Sequence, residues 1–180
     1  KINNESRKIA LFLAEICYIF EKDDDFKQID YLILGPDIII FKEFIEINLF
    51  TLTNVKGVEI PDSLTSIGDS AFSCFRRIVS VEIPSSVASI GPDAFNNCTS
   101  LKSIQIPSSV TSIGSHAFKN CTSLTSIEIP SSIKSIESNL FEGCTSLTEI
   151  KLHSSIELIG PYAFAGCTSL KKIEIPSSVK

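Results

Sequence analysis

Two histidines, six cysteines and an abundance of serine are the residues of this chain whose types could do chemistry. An imidazole beside a hydroxyl or thiol would give a base and a nucleophile, the pair that splits acyl and phosphoryl transfer into two easier steps. His116 and His153 have no such partner placed by spacing, and both read as exposed loop residues. The serines recur with the pattern described below and include no Gly-x-Ser-x-Gly elbow. No glycine-rich phosphate loop is present, no Cys-x-x-Cys pair and no Cys/His cluster, so neither a cofactor nor a metal is expected. Asp23-Asp24-Asp25 could suggest calcium, but the loop lacks the glycine and the distal glutamate of a calcium-binding hand and reads as a solvated turn. Asn4-Glu5-Ser6, Asn97-Cys98-Thr99 and Asn120-Cys121-Thr122 match the glycosylation acceptor pattern; the latter two arise from a repeat and are read as structural. Catalysis is not expected.

The elements that would position these residues are set by periodicity. Ile60-Pro61, Ile83-Pro84, Ile106-Pro107, Ile129-Pro130 and Ile175-Pro176 fall on a 23-residue period, with Leu152-His153 filling the one gap. Phe72, Phe95, Phe118, Phe141 and Phe164 keep the same step, as do Cys98, Cys121, Cys144 and Cys167. A period of this size means a solenoid, in which each unit completes the core of its neighbours. Leu124, Ile127 and Ile129 are spaced as Leu-x-x-Leu-x-Leu, which predicts a strand with Ile127 and Ile129 on one face. Pro130 ends it, having no N–H to donate. Ile133 and Ile136 return to the interior, and Ser115 to Cys121 forms a short helical or irregular return with Phe118 and Cys121 inward. Gly68, Gly91, Gly114 and Gly160 suit a turn that a side chain would hinder, while Asn97, Asn120, Gly143 and Gly166 favour a left-handed one. One cysteine per unit reads as a small buried hydrophobe, reduced and shielded.

Residues 5–22 read as an amphipathic helix with Ile9, Phe12, Leu13, Ile16, Cys17, Ile19 and Phe20 on one side. A signal peptide is the rival, disfavoured by Glu15 within the apolar run and by the lack of a small-residue cleavage pattern. The chain thus divides into an N-terminal helical cap at 1–29, a degenerate first repeat at 30–54 and regular repeats at 55–180. In the degenerate repeat, Phe41 and Phe44 stand 23 residues before Leu64 and Ile67. With no Met and a start at Lys1, the chain fits a processed or excised piece of something longer.

The unit Ile-Pro-Ser-Ser-Val-x-Ser-Ile-Gly-x-x-Ala-Phe-x-x-Cys-Thr-Ser-Leu, at Ile83 to Leu101 and again at Ile106 to Leu124, closely resembles the BspA-like leucine-rich repeat. The likeness covers residues 55–180, with a weaker echo from 30. The column that holds an asparagine ladder in ordinary leucine-rich repeats is Ser63, Ser86, Ser109, Ser132, Ser155 and Ser178, a departure the BspA-like family shares. A serine hydroxyl there can still bond locally to backbone. The expected fold is an α/β repeat solenoid: a right-handed leucine-rich-repeat superhelix with one parallel sheet from 56–60, 79–83, 102–106, 125–129, 148–152 and 171–175. The resemblance implies a surface-displayed adhesion or host-interaction module of host-associated bacteria or parasitic protists, hence a cell-surface or secreted location.

A formal charge of -5 disfavours nucleic acid, whose phosphates need clustered Lys and Arg. No apolar run is long enough to span a membrane. The informative surface is the outward side of the strands, where Lys56, Glu59, Glu82, Lys102, Gln105, Glu128, Glu149, Lys151, Lys172 and Glu174 form the candidate binding face. A solvated strand face explains the same columns without a ligand. The expected partner is a protein or extended glycan on a concave sheet, with end-to-end contact through the C-terminal repeat as a further route. A rival reading is a cytoplasmic structural scaffold docking through its N-terminal helix or C-terminal end.

Overall fold

The computed structural model of the chain describes residues 31–33, 57–60, 62 and 64–180. The expected helix at 5–22 and nearly all of the degenerate repeat lie outside the described residues.

Each regular turn begins where a small or polar residue, an aliphatic residue and a polar residue alternate, which is the pattern of a strand with one face buried. β1 (Tyr31–Ile33), β2 (Gly57–Glu59), β4 (Ser80–Glu82), β6 (Ser103–Gln105), β8 (Ser126–Glu128) and β10 (Glu149–Lys151) pair in parallel, in the order β1-β2-β4-β6-β8-β10. Val58 pairs with Val81, Val81 with Ile104 and Ile127 with Ile150, each 23 residues apart. β1 keeps a wider step: Tyr31 pairs with Gly57, 26 residues on.

Beyond the Ile-Pro step of four units, and beyond His153 in the fifth, the chain forms a second, shorter strand, so the expectation of one parallel sheet needs correcting. β3 (Ser66–Ile67), β5 (Ser89–Ile90) and β7 (Ser112–Ile113) make a three-stranded sheet, and β9 (Ser135–Ile136) pairs with β11 (Leu158–Ile159) in a two-stranded one. The isoleucine of the Ser-Ile step is buried in β3, β5, β7 and β9. The Gly91 and Gly114 N–H groups extend this ladder to the Ile67 and Ile90 carbonyls at 2.8 Å.

The return contains no helix among the described residues. It is a run of turns whose backbone bonds to the following unit: Phe72 N to Ala94 O at 2.7 Å, Phe95 N to Ala117 O at 2.8 Å, Phe141 N to Ala163 O at 2.8 Å. Two left-handed residues per unit set this shape. One column is the expected one, with φ of 61° at Asn97, 58° at Asn120 and 73° at Gly143 and Gly166. The other was not expected: Ser70, Asp93, His116, Asn139 and Tyr162 take φ of 49–61°. Such residue variety hides the requirement, because a packed neighbour on each side can hold even a histidine or tyrosine there.

The core is a stack of identical layers. Phe72, Phe95, Phe118, Phe141 and Phe164 form the expected spine, with ring centroids 5.1, 5.5, 5.7 and 5.6 Å apart and rings within 12° of parallel. The first four are fully buried and Phe164 is half-buried. The serine column bonds across turns rather than locally: Ser86 Oγ donates to Leu64 O at 2.6 Å, Ser109 Oγ to Val87 O at 2.7 Å, and Ser178 Oγ to Ile156 O at 2.6 Å. It does the work expected of an asparagine ladder. Cysteines and threonines add parallel ladders, as in Cys121 Sγ to Phe95 O at 3.2 Å and Thr122 Oγ1 to Thr99 O at 3.2 Å.

The expected strand at 171–175 is absent: β10 ends the first sheet. Ile175 is 53% exposed and Ile173 half-buried, where Ile127 and Ile129 are buried.

Candidate binding face

Parallel in-register pairing turns each outward position into a column whose members stand about 4.8 Å apart. On the first sheet one column is Ser80, Ser103, Ser126 and Glu149, and its neighbour is Glu82, Gln105, Glu128 and Lys151; all eight side chains are exposed. Lys102 is exposed just before β6. Glu59 occupies the matching place in β2, paired in register with Glu82. Lys172 and Glu174 are exposed but lie beyond the sheet, joined to each other at 2.7 Å. Lys56 lies outside the described residues. The structure therefore brings Glu82, Gln105, Glu128, Glu149 and Lys151 onto one exposed face, with Lys102 exposed just before it and Glu59 matched to Glu82 in the strand register.

The charges on that face are not self-neutralising. Lys151 and Glu149 approach at 3.7 Å while staying 84% and 67% exposed, an ion pair that contributes little in water. Around Glu82, Gln105 and Glu128 the column is acidic, with Lys102 beside it. The charges of Glu82, Lys102 and Glu128 thus face solvent at fixed spacing.

Folding does bring a histidine to a serine. His153 Nε2 lies 2.8 Å from Pro130 O, and Ser155 Oγ is in close contact with His153 Nδ1. Ser155 Oγ also lies 2.9 Å from Ser131 O, in the serine column. Pro130 is the counterpart of His153 one turn earlier, so the imidazole ties the two turns together at a place where proline has no donor. A carbonyl stands where a catalytic base would need a carboxylate to hold a charged ring. The expectation that both histidines are exposed is corrected: His116 and His153 are each half-buried. Among the described residues, no group of three or more His, Cys, Asp or Glu side chains could hold a metal ion. No helix there is long and apolar enough to cross a membrane.

Cys98, Cys121 and Cys144 are buried and free, whereas Cys167 is half-exposed and Cys74 exposed. Shielding is therefore complete for three of the four column cysteines. Burial pushes the Cys98, Cys121 and Cys144 thiols well above their ordinary range, because a thiolate there would lose its hydration. Among the described cysteines, an alkylating reagent is accordingly expected to label Cys74 first and Cys167 next. Cys98, Cys121 and Cys144 should react only on unfolding, which mass spectrometry of the labelled peptides would read. Rapid native labelling of Cys121 would contradict the inward assignment.

The sequence matches the BspA-type leucine-rich repeat region in six copies, over residues 43–109 and 88–180. The structure is similar to that of a leucine-rich repeat protein from Eubacterium ventriosum, with 27% identity, 69% of this chain and 40% of that one covered, and a TM-score of 0.58. It is similar too to a leucine rich cell surface protein from Faecalibacterium prausnitzii, at 31% identity, 69% and 42% coverage and a TM-score of 0.55. A leucine-rich repeat protein from Bacteroides ovatus matches at 33% identity, with 71% and 39% coverage and a TM-score of 0.55. The chain thus spans about two fifths of the length of these solved relatives. No curated protein gives a match.

Proposed function

The chain belongs to the BspA-type leucine-rich repeat family, and from that premise we propose that it is a non-catalytic binding module, displayed at the cell surface, that takes a protein partner on the outer face of its first sheet. The observation that carries this reading is the set of exposed, in-register columns on β4, β6, β8 and β10, with unpaired charge at Glu82, Lys102 and Glu128. A solenoid adds such columns turn by turn, so an extended recognition surface costs no special architecture. The surface location is supported by the relative described as a leucine rich cell surface protein. Leucine-rich repeats are typically non-catalytic.

Two experiments test the two halves of this reading. Antibody against the repeats should label intact, unpermeabilised cells; labelling only after permeabilisation would replace the adhesin with an intracellular scaffold. Against a captured partner, the triple variant Lys102→Glu, Glu128→Lys and Lys151→Glu should bind with an association rate lower by about tenfold or more, since these charges steer encounter. Its unfolding should stay within about 0.5 kcal/mol per site of the parent, as for other exposed positions. Unchanged binding would move the contact to the return turns or the N-terminal region. Binding abolished by glycosidase treatment of the partner would make the ligand a glycan.

A further inference from the structure

Glu137 stands where the equivalent turns carry Gly68, Gly91, Gly114 and Gly160. Glycine serves there because of a close approach. A Cβ on Gly114 would lie 2.3 Å from Pro92 N, one on Gly91 2.7 Å from Asp69 N, and one on Gly160 2.6 Å from Ser138 N. In each case the obstacle is backbone of the preceding turn, which cannot rotate aside. A glutamate brings that Cβ with it, so its backbone cannot come as near to the turn below.

The second face breaks at this step. β3, β5 and β7 form one sheet and β9 and β11 another, with no pairing between β7 and β9. Elsewhere on this face the ladder is continuous: Gly114 N to Ile90 O at 2.8 Å and Gly160 N to Ile136 O at 2.7 Å, Thr111 N to Ala88 O at 2.9 Å and Glu157 N to Lys134 O at 2.8 Å. The Glu137 and Lys134 amides make no equivalent bond to Ile113 and Thr111. The first sheet thins at the same step, because β6 and β8 pair through Gln105 and Glu128 alone, whereas β4 and β6 share three residue pairs. Beyond the break the return closes normally, with His116 N to Ser138 O and Phe118 N to Leu140 O both at 3.1 Å. Ser135 Oγ donates to Glu137 Oε1 at 2.5 Å, which holds the carboxylate over its own strand. There it stands at one end of an open groove that runs along Gly68, Gly91 and Gly114.

We propose that Glu137 is a hinge built into the solenoid. Its Cβ keeps β7 and β9 apart, and the units on either side open against each other at that step, with the return turns as the pivot. The binding face bends between β6 and β8 as a result. This inference does not depend on what the face binds.

Amide hydrogen exchange on the chain, with and without substitution, tests it. In the parent, the Lys134 and Glu137 amides should exchange at least about tenfold faster than those of Thr111, Gly114, Glu157 and Gly160, as expected where a ladder is locally open. Glu137→Gly should slow both amides to the level of those neighbours. Glu137→Ala keeps the Cβ and loses the carboxylate, and should leave both amides fast. Protection at Glu137 in the parent equal to that at Gly114 would overturn the hinge. Closure by Glu137→Ala as complete as by Glu137→Gly would overturn its cause, placing the break in the charge rather than in the Cβ.

Discussion

Phe118→Ala is expected to lower the free energy of unfolding by about 3–5 kcal/mol, the usual cost of emptying a buried ring site. Phe118 is fully buried, with Phe95 5.5 Å away on one side and Phe141 5.7 Å away on the other, both rings stacked on it. A ring removed from the middle of a stack leaves Phe95 and Phe141 each stacked on one side only. The return cannot readily collapse because it is tied to both neighbouring turns, by Phe95 N to Ala117 O at 2.8 Å and Phe118 N to Leu140 O at 3.1 Å. Folded domains are stable by about 5–15 kcal/mol in total, so this one change would use a large part of the margin. Denaturant unfolding followed by far-UV circular dichroism measures it. Ser126→Ala, on an exposed residue of β8, is the control and should stay within about 0.5 kcal/mol of the parent. A loss below about 1 kcal/mol for Phe118→Ala would mean that the spine does not carry the core.

Alkaline pH should be the second large effect. In the folded chain burial raises the thiols of Cys98, Cys121 and Cys144 above their ordinary value of 9.0. Below that value both folded and unfolded states hold the protons, and the full stability is present. As pH rises above it the unfolded thiols ionise while the buried ones cannot. The unfolded state then binds fewer protons, and stability falls by about 1.4 kcal/mol per pH unit for each thiol. Three thiols together give a slope of about 4 kcal/mol per unit, until the folded thiols ionise in their turn. The midpoint of urea unfolding should therefore be level between neutral pH and about 8.5 and drop steeply above it. Cys121→Ala should reduce the alkaline slope by about one third while lowering stability at neutral pH through the lost methylene-sized packing and S–H bond. A parent whose midpoint is unchanged at strongly alkaline pH would show that these sites admit water.

Much of this molecule was open to reading because its repeats are close copies. Ile127 and Ile129 inward with Glu128 outward follows from alternation along any strand, and the phenylalanine column follows from a constant 23-residue step. The exposed columns through Glu82, Gln105, Glu128 and Lys151 came from the same argument. The second sheet did not, because a two-residue strand such as Ser112–Ile113 is too short to show a period. Nor did the pairing of His153 with Pro130 O and Ser155, which depends on a contact between successive turns.

What the amino-acid order determined by itself is the repeating layer: which side chains face inward, which outward, and that each layer stacks on one like itself. Hydrophobic period and local turn preference decide those matters within one unit. What tertiary structure alone decided is how closely each layer approaches the next. The gap at Gly114 is narrow because the backbone of Pro92 lies 2.3 Å from where a Cβ would stand. That distance joins residues one turn apart in space but some twenty apart in sequence. From sequence, Gly68, Gly91, Gly114 and Gly160 suit a turn that a side chain would hinder; at Gly91, Gly114 and Gly160 the structure identifies the obstacle as the preceding turn. Glu137, the exception, became legible as a break once the neighbouring turn was in place beside it.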